Sequence, residues 1–523
     1  MAIEKIKGHL LNNNNFLLSG GAGSGKTYTL IQTLDAIFED TRCKKVACIT
    51  YTNVATKEIL ERNPYANLSV STIHEFLWEQ IKNFQINLKE SILVLLKNNT
   101  IKHNDELTID NDLFKDKKIE YREYRKLEEG IISHDEVIKV SHYMFNKFRL
   151  LCRITNDKFN YIFIDEYQDT QKEVVEIFLN YLQQCSNRCV VGLFGDSMQS
   201  IYTDGVGDIK SYIKDDLVKE VVKDDNRRCA VSVINLLNKI RNDLNQKPAN
   251  NNKDGCATFL YSTNSSITID DIKANNHFKH WDFSDIKNNK VLYLTHKLIA
   301  KEQGFSGLVG IFNNDDLTGD SPNKFIAHLL QIEEIISLYE NKKYNEFLKK
   351  TYFQLNTLSD KQVLNGKINN LKNTERLTIE DVLNLADQLE LIKKDDQFND
   401  YTVNNHEKYE TSKIIKYSEI RALFKYRDGL SPYSTQHGVK GAEFNNVLVI
   451  LDNGKWNQYN FNYLFENTAN KESVIERTKK IFYVTCSRTK DRLTVFYPNP
   501  TDKVLQKAKE WFGDDNVYTI DTK

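Results

Sequence analysis

Phe16-Leu17-Leu18-Ser19-Gly20-Gly21-Ala22-Gly23-Ser24-Gly25-Lys26-Thr27 runs an apolar strand directly into a glycine-rich turn that ends in Lys-Thr. This order predicts a phosphate-binding loop. The glycines let successive backbone N–H groups converge on an anion, and a helix opening at the loop adds the positive end of its dipole. Leu30, Ile31, Leu34, Ile37 and Phe38 recur at helical spacing downstream, so strand, loop and helix follow in the sequence the motif needs. Gly20, Gly21, Ala22, Gly23, Ser24 and Gly25 are therefore the expected cradle for the phosphates of ATP. Lys26 is expected to reach the β- and γ-phosphates, and Thr27 to ligate Mg2+.

A second strand delivers acids. Tyr161-Ile162-Phe163-Ile164 is uncharged and rich in aromatic and β-branched residues, and it ends in Asp165-Glu166-Tyr167-Gln168-Asp169-Thr170. In an open α/β sheet, ligands sit at the carboxyl ends of the strands, so this acid pair is expected beside the phosphate loop. Asp165 is the expected metal ligand and Glu166 the residue that polarises the attacking water.

Composition narrows the class without naming a partner. The chain of 523 residues is too long for one core, and its 71 basic and 72 acidic residues leave a formal charge of −1. No global basic field advertises nucleic acid, so any DNA contact has to come from a local groove. The eight cysteines form no CxxC pair and stand at no zinc-finger spacing, which reads as reduced thiols in a cytoplasmic protein. No apolar run approaches the roughly 20 residues needed to span a bilayer, and no membrane role is expected.

A third strand, Val190-Val191-Gly192-Leu193-Phe194, leads to Gly195-Asp196-Ser197-Met198-Gln199-Ser200-Ile201-Tyr202. Together with Thr50-Tyr51-Thr52-Asn53, Ser71-Thr72-Ile73-His74 and the acid-bearing strand, this ordered series resembles the superfamily 1 DNA helicases of the UvrD/Rep/PcrA type. The resemblance continues through Asn226-Arg227-Arg228, Ser434-Thr435-Gln436-His437-Gly438-Val439-Lys440-Gly441-Ala442-Glu443-Phe444 and Phe482-Tyr483-Val484-Thr485-Cys486-Ser487-Arg488. It spans Gly20 to Arg488.

The resemblance implies an α/β fold of two RecA-like P-loop domains with parallel sheets, each carrying a mainly helical insert. It further implies ATP with Mg2+ as cofactors, and single-stranded or tailed DNA as partner. Gln199 would couple the γ-phosphate to motion, Arg228 and Arg488 would act as arginine fingers, and Glu443 would lie near the ribose. Tyr51, Thr52, Asn53, His74, Tyr202, Thr435 and His437 match positions that line the family's DNA track. The expected division is residues 1–76 and 158–245 for the first RecA-like domain with insert 77–157, and 246–301 and 431–523 for the second with insert 302–430. Within the second insert, a loop-rich tract is expected near Lys394 to Asn405.

Two departures bear on function. Where the family continues with a Trp-Arg-Gly-like segment after Tyr202, this chain has Thr203-Asp204-Gly205, so a stacking platform worth roughly 1–3 kcal/mol per base is missing there. The adenine-stacking tyrosine expected between Asn226 and Arg228 is replaced by Arg227, which can cover a purine by planar stacking. Residues 1–15 hold no glutamine to read the adenine edge. Two functions remain: a 3′–5′ translocating DNA helicase, or a DNA-end-activated hydrolase partnered with a nuclease, like the compact helicase-like subunit of Gabija-type phage-defence systems.

Overall fold

The computed structural model describes residues 2–39, 44–50, 53–62, 64–103, 108–202, 205–264, 266–319 and 321–521. They fall into two compact units, Met1–Gly255 with Lys479–Ser487, and Cys256–Thr478 with Arg488–Lys523. Both are α/β.

The first unit is built on β1 (Phe16–Gly20), β2 (Val46–Thr50), β3 (Leu68–Thr72), β4 (Tyr161–Asp165), β5 (Val190–Gly195) and β6 (Lys219–Lys223), in the order β3-β2-β4-β5-β1-β6. Every pairing is parallel. β2, β4 and β5 are buried along their whole length, which is why they read as uninterrupted apolar runs rather than alternating ones. One sheet face packs Phe16, Leu18, Phe163 and Phe194 against Leu30, Leu34 and Ile37 of the helix Lys26–Phe38. The other face packs Leu17, Ile49, Ile162 and Leu193 into a core that also contains Ile92, Leu96, Phe114, Val137 and Met144 from the segment between β3 and β4. That helical segment thus shares the sheet's hydrophobic core. It also holds a short two-stranded pairing, Glu120–Tyr121 with Ile131–Ile132.

The second unit repeats the plan. Its strands β7 (Cys256–Ser262), β8 (Asn289–Tyr293), β9 (Tyr433–Thr435), β10 (Phe444–Ile450), β11 (Thr489–Pro498) and β12 (Val517–Thr519) are ordered β9-β8-β10-β11-β7-β12, again all parallel. The order matches that of the first sheet strand for strand. Its long helical segment lies between β8 and β9, and Phe305, Phe325, Leu329, Ile332, Val382 and Leu423 form a core there that is distinct from the Val291, Leu448 and Phe496 core under the sheet. The tract expected to be loop-rich instead contains the helix Asp396–Asn404, because the Asp395 carboxylate caps it through the Phe398 N–H and Phe398 is buried.

β1 and β7 hold the same place in their sheets, but the turns after them differ. After β7 come Thr263 and Asn264, and the Asp521 carboxylate accepts from the Ser262 hydroxyl, from the Thr263 N–H at 2.7 Å and from the Thr263 hydroxyl at 2.8 Å. The chain supplies its own anion there.

Candidate active site

The turn after β1 has the backbone of an anion site. Gly23 and Gly25 take φ of 75° and 76°, a left-handed conformation that a side chain would strain. The helix Lys26–Phe38 begins with Gly25 as its N-cap, with no side-chain capping bond and no acid in its first turn. Its first N–H groups therefore lack a capping carboxylate or hydroxyl, as an incoming phosphate requires. The Ser24 hydroxyl is buried without a hydrogen-bond partner, which is costly unless a ligand supplies one. Lys26 is 7% exposed and its ammonium donates to the Gly20 carbonyl at 3.2 Å. The donor set fits a nucleoside triphosphate.

The acids arrive from β4. The Thr27 hydroxyl donates to Asp165 Oδ2 at 3.3 Å, and Asp165 Oδ1 accepts from the Glu166 N–H at 3.1 Å. Burial and the adjacent Glu166 push the Asp165 carboxyl up to about 7, against the pull of Lys26. A divalent cation held between Thr27 and Asp165 would reverse that balance. A hydroxyl and one carboxylate suit Mg2+, which keeps several waters and phosphate oxygens as its other ligands. No cluster of three or more metal-ligating acids, histidines or cysteines occurs among the described residues.

Glu166 has φ of 52°, and its carboxylate is held by the Gln168 amide at 2.5 Å. Gln168 is fully buried and its oxygen accepts from the Asp196 N–H at 3.0 Å. One glutamine therefore ties the turn after β4 to the turn after β5. Asp196 Oδ2 in turn accepts from the Gln199 amide at 3.1 Å.

Sequence reasoning missed the group that organises this edge. Arg241, which is 2% exposed, pairs with Asp196 at 3.1 Å and Asp243 at 2.9 Å, and donates to the Tyr483 hydroxyl at 2.7 Å. That hydroxyl accepts from the Ala22 N–H in the phosphate loop at 3.1 Å. The Ala22 carbonyl is held by Asn226 at 3.0 Å and Gln246 at 2.9 Å. A Cβ at position 21 would meet Gln246 Nε2 at 2.2 Å, so a glycine here lets the loop approach this scaffold without displacing the Gln246 amide. Tyr483 lies in a quoted motif and Arg241 in none; its partner Asp196 is 45 residues away, beyond any local pattern.

Arg228 and Arg227 follow Asn226, whose Oδ1 accepts from the Arg228 N–H at 3.0 Å, while the Arg227 N–H donates to the Gly23 carbonyl at 2.9 Å. The Arg228 guanidinium reaches the Ser487 carbonyl at 3.5 Å. Beside the loop a cavity of about 1040 Å3 is bounded by the helix Ala2–Leu11, the helix Lys26–Phe38 and the end of β6. Tyr28, Gln32, Asp35, Lys223 and Arg227 line it. Gln32 brings a carboxamide to its wall, which residues 1–15 lack.

Glu443 and Arg488 belong to the second unit. Glu443 pairs with Lys490 at 3.0 Å, and Arg488, 1% exposed, donates to the Ala442 carbonyl at 3.4 Å.

Of the residues matched to a DNA track, Tyr51 and Thr52 lie outside the described residues, as do Thr203 and Asp204, and Asn53 opens the helix Asn53–Arg62. His74 packs edge-on to His134 at 4.6 Å, and burial, with His134 adding to it, brings its pKa down to about 4. Tyr202 is 39% exposed. The Thr435 hydroxyl accepts from the Gly438 N–H at 3.0 Å, and His437 Nε2 bonds the Tyr459 hydroxyl at 2.8 Å. Burial likewise brings His437 down to about 4, so both imidazoles are neutral near pH 7.

Residues 4–204 match the AAA domain family, and residues 107–304 match the core domain of viral superfamily 1 RNA helicases. The ATP-dependent DNA helicase PcrA of Bacillus subtilis (strain 168) is 28% identical over 45% of this chain and 38% of its own length. Motifs, twin parallel sheets and these matches make the chain similar to the superfamily 1, UvrD-like helicases. The chain is similar along nearly its whole length to Gabija protein GajB of Bacillus cereus (strain HuB5-5), 27% identical over 98% of this chain and 97% of that protein. GajB of Bacillus cereus (strain VD045) is 23% identical over 95% of each. Among the described residues no helix is long and apolar enough to cross a membrane.

Proposed function

We propose that the chain hydrolyses ATP with Mg2+ in response to single-stranded or tailed DNA, and that hydrolysis drives 3′–5′ movement along the strand. The observation that carries the hydrolytic part is the meeting of Lys26, Thr27, Asp165 and Glu166 at the ends of β1 and β4, with the Thr27 hydroxyl 3.3 Å from Asp165. In this reading Gly20 to Gly25 and Lys26 bind the phosphates, Thr27 and Asp165 hold the cation, and Glu166 orients the attacking water. The cation neutralises charge on the phosphate oxygens. Gln199 is joined through Asp196 to Gln168 and Glu166, a route by which a γ-phosphate is sensed. Arg228 and Arg488 are assigned by resemblance to the charge that develops on hydrolysis, Glu443 to the ribose and Arg227 to the base, and Gln32 on the wall of the neighbouring cavity is added as a second contact to the base. Tyr51, Thr52, Asn53, His74, Tyr202, Thr435 and His437 are assigned to the DNA track.

A second reading starts from the near full-length similarity to GajB; PcrA matches 45% of the chain. In this second reading, hydrolysis is triggered by DNA ends and regulates a nuclease partner in phage defence, in the cytoplasm. ATPase rates across blunt, tailed and single-stranded DNA, measured beside strand displacement from a 3′-tailed duplex, separate the two. Strand displacement that Glu166→Gln abolishes supports the motor. DNA-stimulated hydrolysis without displacement supports the switch, and an ATPase indifferent to DNA defeats both.

A further inference from the structure

Arg241 stands outside every quoted motif, yet its guanidinium has no N–H to spare. Nε donates to Asp243 Oδ1 and Nη2 to Asp243 Oδ2, both at 2.9 Å. Nη2 also donates to Asp196 Oδ1 at 3.1 Å, while Nη1 donates to Asp196 Oδ2 at 3.3 Å and to the Tyr483 hydroxyl at 2.7 Å. These bonds use all five donors of the fork. The side chains of Arg241 and Asp196 are each 1% exposed. A pair buried so deeply is a weak source of stability, because desolvation takes back what attraction supplies and apolar residues of like volume often fold as well. What it supplies is fixed geometry, since a fully satisfied buried network rigidifies the groups it joins.

Asp196 is the hub of that geometry. Its Oδ1 accepts the Met198 N–H at 3.2 Å, and its Oδ2 accepts the Gln199 amide at 3.1 Å and the Tyr483 hydroxyl at 3.3 Å. Its own N–H donates to Gln168, whose amide holds Glu166. On the loop side, both peptide groups of Ala22 are engaged. The N–H donates to the Tyr483 hydroxyl, and the carbonyl accepts from Asn226 and Gln246. Asn226 precedes and Gln246 follows the helix Val231–Ile240, whose C-cap is Arg241. A Cβ at position 21 would lie 3.1 Å from Arg241 Nη1, so the guanidinium sits directly behind the phosphate loop.

We infer that Arg241 is a positioning residue for the proposed hydrolysis: through Tyr483 it fixes the phosphate loop, through Asp196 it fixes Gln199, and one guanidinium keeps the two in register. The inference rests on the hydrolytic reading and adds a means of regulation to it. Phosphate entering the loop acts on the Ala22 peptide, and Tyr483 and Asp196 pass that change to the amide assigned to sense the γ-phosphate. Asn226 and Gln246 hold the Ala22 carbonyl independently of Tyr483. Losing the hydroxyl therefore leaves the grip on nucleotide and disturbs the alignment of Gln199, an effect that falls on kcat.

The test is a double-mutant cycle on the full chain, read as kcat and KM for ATP in DNA-stimulated phosphate release, beside urea unfolding. Tyr483→Phe removes one oxygen and is expected to lower kcat about fivefold, with KM within about twofold of wild type and the unfolding midpoint kept. Combined with Gln199→Ala, it is expected to cost no more than about twofold beyond Gln199→Ala alone, because residues of one network do not act independently. Arg241→Lys keeps the charge but cannot serve Asp196, Asp243 and Tyr483 together, and is expected to match Tyr483→Phe in kcat. If Arg241→Lys fails to fold, Tyr483→Phe carries the test. Losses that multiply in the cycle, or a Tyr483→Phe change confined to KM or to the unfolding midpoint, overturn the inference and leave hydrolysis in place. A wild type that releases no phosphate with Mg2+ and DNA overturns the hydrolytic reading beneath it as well.

Discussion

The two sheets share one strand order, yet the turns after β1 and β7 hold opposite charges. After β1, two left-handed glycines, an uncapped helix and Lys26 prepare a place for phosphate. After β7, the Asp521 carboxylate already takes the N–H and hydroxyl donors of Ser262 and Thr263. A parallel sheet thus offers a polar crevice at its carboxyl edge wherever it occurs, and sequence decides whether a ligand or the chain itself fills it. In the proposed function the phosphate-binding turn and its acids come from the first unit, while the second contributes Arg488 and Glu443 and closes its own first turn with Asp521.

The largest effects should come from the first turn. Lys26→Ala and Glu166→Gln are each expected to lower the hydrolysis rate by about 10³-fold or more, read by phosphate release, because phosphoryl transfer depends almost entirely on positioning and charge. If Asp521→Asn lowers hydrolysis comparably, the division between the sheets fails. Arg241→Ala comes next. It strands the buried Asp196 carboxylate and frees Tyr483 from the loop, and should cost about 3–5 kcal/mol in denaturant unfolding. Tyr483→Phe should instead slow hydrolysis severalfold with little loss of stability.

Acid should weaken both units. His74 in the first, and His328 and His437 in the second, are brought down to about 4 by burial from a model-compound value of 6.5. The folded chain keeps these rings neutral while the unfolded chain takes up protons. Stability is therefore intact above pH 6.5 and falls as pH drops from 6.5 to 4, by on the order of 2 kcal/mol per ring. Urea midpoints across that window test it, and a flat profile would count against the burial of these rings. Asp521→Ala should cost about 1–2 kcal/mol through lost hydrogen bonds, with nucleotide affinity unchanged. The smallest effect is expected from Arg227→Tyr, which should sharpen preference for ATP over pyrimidine triphosphates by a few-fold in competition assays.

What the sequence disclosed follows the same division. β1, β4 and β5 were legible because central parallel strands are buried on both faces and end in chemistry that names them. β6, with only Val221 fully buried, and β12, three residues long, carry too weak a pattern. The glycine-rich turn after β1 and the acids after β4 were legible as motifs, whereas Arg241 and Gln246, and the Gln168 contact to Asp196, join partners distant in sequence.

The helical segments inserted into the two sheets differ in what they are buried against. The first contributes Ile92, Leu96 and Met144 to the core beneath β2 and β4, while the second closes a core of its own around Phe325 and Leu423. In hydrogen exchange, amides between β3 and β4 should therefore open together with the first sheet, and those between β8 and β9 should form a separate cooperative block. The second segment can then open without loosening the core beneath the first sheet.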